Sequence, residues 1–302
     1  IGVGFGAAVI GYRGYMHSLE YAKDRLQGRK ASEKNPESPQ VPIIDHADVR
    51  RMLLAQKAYS EGGLALCLYG ARLMDDQHTH PDEQKRMEAG KLLDLLTPVI
   101  KAWPSEFGPK ANDLAIQVYG GAGYTREYPV EQCWRDNRLN PIHEGTNGIQ
   151  ALDLLGRKIW QDQSHGLQLL MQEMQVDLQA ATTDRCQQWA LSLSETLQQA
   201  VKVTQSLGKS LMGGEVDKTL ANASCYLHLF GHIIVAWMWL RQANAAANAL
   251  ASANSDSERN FYQGKLQAAQ YFFHWELPTV AQDLVLLRNQ DDTCLNMKAD
   301  WF

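Results

Sequence analysis

The chain has 302 residues, 45% of them apolar, and a formal net charge of -5. That is enough apolar material for a sizeable core, in one large domain or two smaller ones. Lys and Arg are spread along the chain rather than massed, so nothing in the charge points to nucleic acid or to an anionic membrane surface as a partner.

In chain order, residues 1–10 are apolar and Gly-rich but lack a basic leader and a cleavage-site pattern, so they read as part of a helix, begun within a longer protein or after processing, rather than as a signal peptide. Helical spacing runs over 1–24. Pro36, Pro39 and Pro42 among Lys, Glu and Ser mark 27–44 as a solvated loop. Asp45 is placed to N-cap a long helix reaching about residue 76. A further helix spans 81–103, and another starts at Pro104 and ends at Gly120-Gly121. A short helix over 130–138, a loop over 141–146 and a helix to about Trp160 follow.

Composition then shifts toward Gln, Leu and Ala, which places a domain boundary near 161. Residues 1–160 form one helical domain, and 161–302 read as an up-and-down bundle of about four helices, including helices over 217–252 and 255–288. No run alternates with period two, so the fold class is all-α. The most apolar window, 226–240, is short and holds His228, Gly231 and His232, so no membrane span is expected. The stripe Leu167, Leu170, Met171 and Met174 has helical spacing and is assigned to core. Trp160, Trp189, Trp237, Trp239 and Trp275 are assigned to the core or an interface. Cys67, Cys133, Cys186, Cys225 and Cys294 are far apart and odd in number, without a CxxC pair; they read as packing residues of a reducing, cytoplasmic setting.

Chemistry concentrates in 117–150, QVYGGAGYTREYPVEQCWRDNRLNPIHEGTNGIQ. Gly120, Gly121 and Gly123 serve either a helix C-cap and tight turn or the close approach of a ligand to backbone. Glu144, just ahead of a helix, is either a carboxylate answering the helix dipole or a general base held on a loop beside free backbone donors; spacing leaves both open. Arg135-Asp136-Asn137-Arg138 reads as a solvated charged face. Asp75 to His80 reads as a polar turn between helices, and no metal site is expected. The di-iron ExxH pairs, the Walker A loop, the GxGxxG fingerprint and the GxSxG elbow are all absent.

Together these clusters resemble the acyl-CoA dehydrogenase family, over about the first half of the chain. Residues 21–29, YAKDRLQGR, are similar to its "YAxxRxQFG" helix end; 117–124, QVYGGAGY, to its "QxxGGxGY" turn; 135–138 to its "RDxR"; and 143–150, HEGTNGIQ, to its "YEGTxxIQ". The resemblance implies an acyl-CoA dehydrogenase-like C-terminal helical bundle followed by a second bundle. It also implies an FAD-dependent CH–CH oxidoreductase acting in fatty acid metabolism on an acyl-CoA substrate. Glu144 would take the α-proton while the flavin accepts a hydride from the β-carbon, with the base raised in pKa by burial and its own N–H donating to the thioester carbonyl. Arg25 and Gln27, with Gln117, Gly120 and Gly121, would meet FAD across a subunit interface, and Thr146 would contact the FAD of its own subunit. A homodimer or homotetramer and an electron-transfer flavoprotein acceptor are implied as partners.

The sequence departs from the family in Gly28-Arg29, in the insert 30–42 and in Gly148. With the extra helical segment, these features are similar to the large bacterial branch that includes 3-methylmercaptopropionyl-CoA dehydrogenases. The family's N-terminal helical and β-barrel domains have no counterpart in these residues, so the isolated chain is expected to be inactive and to hold FAD weakly or not at all. The alternatives are a non-catalytic helical scaffold, against which retention of Glu144 argues, and a nucleic-acid role, which the charge does not support.

Overall fold

A computed structural model describes all 302 residues, and helices account for nearly all the regular structure, with one isolated antiparallel bridge between Leu26 and Pro42. Two compact units interleave in sequence: residues 2–64 with 104–144, and residue 1 with 65–103 and 145–302.

The first unit contains α1 (Gly2–Asp24), the start of α2 (Ala47–Thr79), the end of α3 (Glu83–Tyr119) and α4 (Val130–Asn137). The buried face of α1 is made of small residues, Gly4, Ala7, Ala8, Gly11, Gly14, Ser18 and Ala22, with Tyr15 among them. Small side chains let helix backbones approach closely. A Cβ on Gly11 would stand 3.2 Å from Gly108 Cα of α3. The core here joins Tyr15 and Ala22 to Met52, Leu53 and Val118. The insert after α1 closes on itself. Gln27 N donates to Val41 O (3.0 Å), Val41 N to Gly28 O (3.1 Å) and Ile43 N to Arg25 O (2.8 Å). The insert therefore leaves Arg25 and Gln27 in place at its base.

Asp45 does not cap α2. It lies in a 3-10 turn, Ile43–Asp45, and pairs with Arg50 at 3.2 Å, while α2 starts two residues later. The two helices expected on either side of Pro104 are one helix, α3. A proline removes a single ladder donor, and the buried Trp103 and Phe107 pack the helix on both sides of it. The unit boundary crosses α3 between Trp103 and Pro104, and α2 after Leu64.

The second unit is organised by α9 (Ala223–Leu250), which contacts α5 (Asn147–Gly156), α6 (Gln161–Gln179), α7 (Asp184–Met212), α10 (Asp256–Tyr271) and α11 (Ala281–Asn289). By length and composition α9 could cross a membrane, a longer apolar run than the window 226–240 suggested. Its buried positions, from Ala223 through every residue of 229–240 to Ala246, surround the helix. A helix apolar all round is what the centre of a bundle needs. The expected helix over 217–252 is split into α8 (Val216–Leu220) and α9, and that over 255–288 is broken at 272–280, where Pro278 opens a 3-10 turn.

Side-chain oxygens cap the bundle helices: Thr183 accepts from Cys186 N (3.4 Å) and Ser255 from Glu258 N (3.1 Å), as N-cap chemistry requires. Leu170 and Met174 of the expected stripe are buried, with Leu169 beside them. Trp189, Trp237 and Trp239 are core residues, whereas Trp275 is exposed and stacks on Tyr271. Residue 161, the expected boundary, falls where Asp162, Gln163 and Ser164 run left-handed at the start of α6.

Candidate functional site

Five of the candidate residues come together. Arg25, Gln27, Gln117, Gly120 and Gly121 line one cleft of about 730 Å³ in the first unit, between the ends of α1 and α3. Helical spacing explains part of this. Tyr21 and Arg25 are four residues apart and share a face of the chain leaving α1, and Gln117 lies one turn before Gly121 at the end of α3.

The three glycines of the turn have three different reasons to be glycine. Gly120 has φ +62°, the left-handed C-cap conformation. Gly123 has none of that strain, but a Cβ there would stand 2.7 Å from Ile116 O and 2.7 Å from Tyr119 Cβ, so the turn could not fold back on α3. Gly121 has neither constraint: its φ is ordinary and nothing lies within 4 Å of an added Cβ. Its backbone simply faces open cleft, where a ligand can approach closely.

Three polar side chains of the cleft wall are unspent. The guanidinium of Arg25 and the side-chain amides of Gln27 and Gln117 have no hydrogen-bond or ion-pair partner within the chain. An exposed cation beside open glycine backbone suits an anionic, phosphate-bearing ligand. The cleft and its donors therefore fit a dinucleotide flavin.

Residues not singled out from the sequence complete the wall. Tyr21 stacks on Tyr119 with ring centroids 4.0 Å apart, and Tyr128 meets both rings edge-on, at 6.3 and 5.4 Å. His46 Nε2 bonds to Gln27 O at 2.8 Å. The spacing of Tyr21 from Arg25 was a readable signal for the first of these; His46 is brought in only by the closed insert.

Glu144 and Thr146 do not line this cleft. Glu144 is exposed and left-handed at φ 55°, followed by Gly145 at φ +81°. The burial expected of a base is thus not supplied by this chain. A left-handed glutamate is uncommon and costs on the order of 1 kcal/mol. Thr146 is the N-cap of α5, its Oγ1 accepting from Ile149 N at 3.4 Å, which leaves its own hydroxyl hydrogen to donate elsewhere. Asn147, the first residue of α5, takes a bond from the buried Lys101, Nζ to Oδ1 at 3.1 Å. Burial holds the Lys101 ammonium below the usual lysine range.

The charged run 135–138 behaves as expected in part: Arg135 pairs with Glu131 at 3.5 Å on an exposed face, but Asn137 is wholly buried. The turn after α2 is held locally, Thr79 Oγ1 donating to Asp75 O (2.8 Å) and Asp82 N to His80 Nδ1 (3.1 Å).

The structure thus sets a donor-lined cleft and an exposed carboxylate, on the loop ahead of α5, on an all-α scaffold. The chain belongs to the acyl-CoA dehydrogenase family. Residues 1–160 match the family model "Acyl-CoA dehydrogenase, C-terminal domain", and residues 170–298 match "Acetyl-CoA dehydrogenase C-terminal like".

Among curated relatives, the chain is 32% identical to a broad-specificity linear acyl-CoA dehydrogenase of Mycobacterium tuberculosis, across 94% of this chain and 48% of the relative. It is 32% identical to 3-methylmercaptopropionyl-CoA dehydrogenase of Ruegeria pomeroyi, across 89% and 45%. The chain therefore spans about half the length of the curated relatives it matches. Among solved structures, Bacillus anthracis acyl-CoA dehydrogenase complexed with FAD superposes with TM-score 0.70 at 19% identity, covering 97% of this chain and 49% of that one. Caenorhabditis elegans ACDH-11 in complex with C11-CoA gives TM-score 0.70 at 17% identity, covering 93% and 45%. At those identities the structures speak for the fold.

Proposed function

We propose that this chain is the base-bearing C-terminal part of a flavin-dependent acyl-CoA dehydrogenase, with Glu144 as the base. The observation that carries the reading is the conformation of Glu144. A non-glycine residue is held left-handed, on a loop directly ahead of α5, with its carboxylate exposed. Strain of this kind persists where the surroundings over-determine it, and it concentrates at functional sites.

In the reaction, the Glu144 carboxylate takes the α-proton of the thioester. A bound flavin supplies the hydride acceptor for the β-carbon, so the two hydrogens leave as proton and hydride and a double bond remains. Arg25 neutralises phosphate charge, Gln27 and Gln117 donate or accept at the cleft wall, and the open backbone at Gly120 and Gly121 lets the cofactor approach. The Thr146 hydroxyl accepts from Ile149 N with one lone pair and would be free to donate its hydrogen to the cofactor of its own subunit. Five of these residues share an outward-facing cleft, which supports the reading that it receives the flavin of a second subunit in a homodimer or homotetramer. An electron-transfer flavoprotein would be the acceptor, and the five separated cysteines without a CxxC pair support a reducing, cytoplasmic setting. Catalytic burial of Glu144 comes from parts of the enzyme outside these residues. Residues 161–302, matched over 170–298 by the second family model, would be a helical addition that shares one compact unit with 65–103 and 145–160.

The test is anaerobic titration of the full-length enzyme with a panel of acyl-CoA thioesters, read as bleaching of flavin absorbance. Bleaching in the wild type that is lost in Glu144→Gln, with flavin still bound, is the expected result. Bound flavin that no thioester bleaches favours the scaffold reading, and bleaching that survives in the variant removes Glu144 from the role.

A further inference from the structure

A line of side-chain hydrogen bonds runs through the first unit to the residue beside Glu144. Asn112 Nδ2 of α3 donates to Ile10 O of α1 at 3.0 Å. Asn137 Nδ2, at the end of α4, donates to Ala7 O at 3.0 Å and to Asn112 Oδ1 at 2.8 Å. Asn140 Nδ2 donates to Asn137 Oδ1 at 2.8 Å, and Asn140 Oδ1 faces His143 Nε2 at 3.1 Å. Asn112 and Asn137 are wholly buried.

Two backbone carbonyls set the direction of the whole line. A carbonyl can only accept, so Ile10 O orients the Asn112 amide and leaves its oxygen facing Asn137. Ala7 O and that oxygen together fix the nitrogen of Asn137, whose oxygen then accepts from Asn140. The oxygen of Asn140 is left for His143, so Nε2 of the imidazole must carry hydrogen in either charge state of the ring, and Nδ1 stays outside the line. Reversing any amide would set acceptor against acceptor or donor against donor, at buried Asn112 and Asn137 and at half-buried Asn140, where an unsatisfied group is costly.

The loop that the line reaches joins α4 to α5. Leu139 and Ile142 are exposed, and the backbone bonds are local turns, Asn140 N to Asn137 O (3.0 Å) and Ile142 N to Leu139 O (2.9 Å). Yet the loop ends in a left-handed glutamate, a conformation that must be held by something.

We infer that Asn140 and His143 are positioning residues for Glu144, fastening the base loop to the carbonyls of Ala7 and Ile10 through Asn137 and Asn112. The inference rests on the reading of Glu144 as the base. Neither Asn140 nor His143 touches the reacting atoms in this account; they act through the loop.

The test uses the full-length enzyme with Asn140→Ala, His143→Leu and His143→Gln, read by hydrogen–deuterium exchange of the 139–147 segment and by the split between kcat and KM. Asn140→Ala and His143→Leu should speed exchange of that segment severalfold and lower kcat by roughly tenfold to a hundredfold, the scale of a misplaced catalytic group, with KM little changed. His143→Gln keeps an N–H donor at similar reach and should restore slow exchange and most of kcat. Wild-type exchange in Asn140→Ala overturns the inference whatever the activity, and so does a His143→Gln enzyme as impaired as His143→Leu. Failure of the underlying reading is separate: Glu144→Gln that still bleaches flavin, with the loop loosened only in the Asn140 variant, removes the base and with it the purpose of the fastening.

Discussion

Tyr21 stacks on Tyr119 with ring centroids 4.0 Å apart and planes tilted by 17°. The contact joins the end of α1, which leads to Arg25, to the end of α3, which leads to Gly120. An aromatic pair of this kind contributes about 0.5–1.5 kcal/mol beyond its buried area. Tyr21→Leu should therefore lower unfolding stability by about 1 kcal/mol and reduce the flavin retained by the purified full-length enzyme. Tyr21→Phe keeps the ring and should leave both unchanged. Urea titration and the flavin-to-protein absorbance ratio check this, and equal flavin content in Tyr21→Leu would separate the stack from the cofactor.

Gly108 of α3 sits where α1 and the buried amides converge. A Cβ there would stand 2.6 Å from Ala7 O and 2.8 Å from Asn137 Nδ2. Neither neighbour can yield easily, since one is helix backbone and the other is bonded at both of its hydrogens. Gly108→Ala should cost about 1–3 kcal/mol, the usual penalty for overpacking, even though alanine is the better helix former. Thermal or denaturant unfolding gives the sign directly.

The five thiols should separate by reactivity. Cys294 is exposed, Cys225 is half-buried, and Cys67, Cys133 and Cys186 are buried. Burial raises the Cys225 and Cys133 thiols and pushes Cys67 up to about 12. The thiolate is the reactive form, so a thiol reagent near neutral pH should show one fast group, lost in Cys294→Ser, and slower ones released on unfolding.

Cys67 also predicts an alkaline limit. An exposed thiol titrates near 9.0, so above that pH the unfolded chain sheds a proton that the folded chain keeps until about 12. The folded state then binds more protons, and stability falls as pH rises, with a slope of up to about 1.4 kcal/mol per pH unit for this group. Stability of the wild type and Cys67→Ala measured across this range should differ in slope, the variant being the flatter.

Much of this protein is legible in its sequence. Apolar periodicity and the lack of alternating runs settle the all-α class, because burial of a helix face needs that spacing. The clustered Gly, Arg, Gln and Glu of 117–150 and 21–29 mark the places where chemistry is possible. Helix ends were less legible. Pro104 read as a break, but buried Trp103 and Phe107 carry α3 through it, and Asp45, a good capping type, is taken by Arg50 instead. Local propensity is a weak term that packing overrides.

Only tertiary structure could decide which residues meet. Arg25 and Gly121 share a cleft although they are distant in sequence, because α1 and α3 pack along small-residue faces and the insert closes on its own backbone bonds. The separate reasons for Gly120, Gly121 and Gly123 depend on what surrounds each Cβ. The same holds for Asn137, which reads as one member of a charged surface run and is instead a buried link between Ala7 and Asn140. Periodicity is a property of neighbours along the chain, and so a sequence can state it. A hydrogen bond across 130 positions depends on where two backbones come to rest, and that is fixed only when the helices pack.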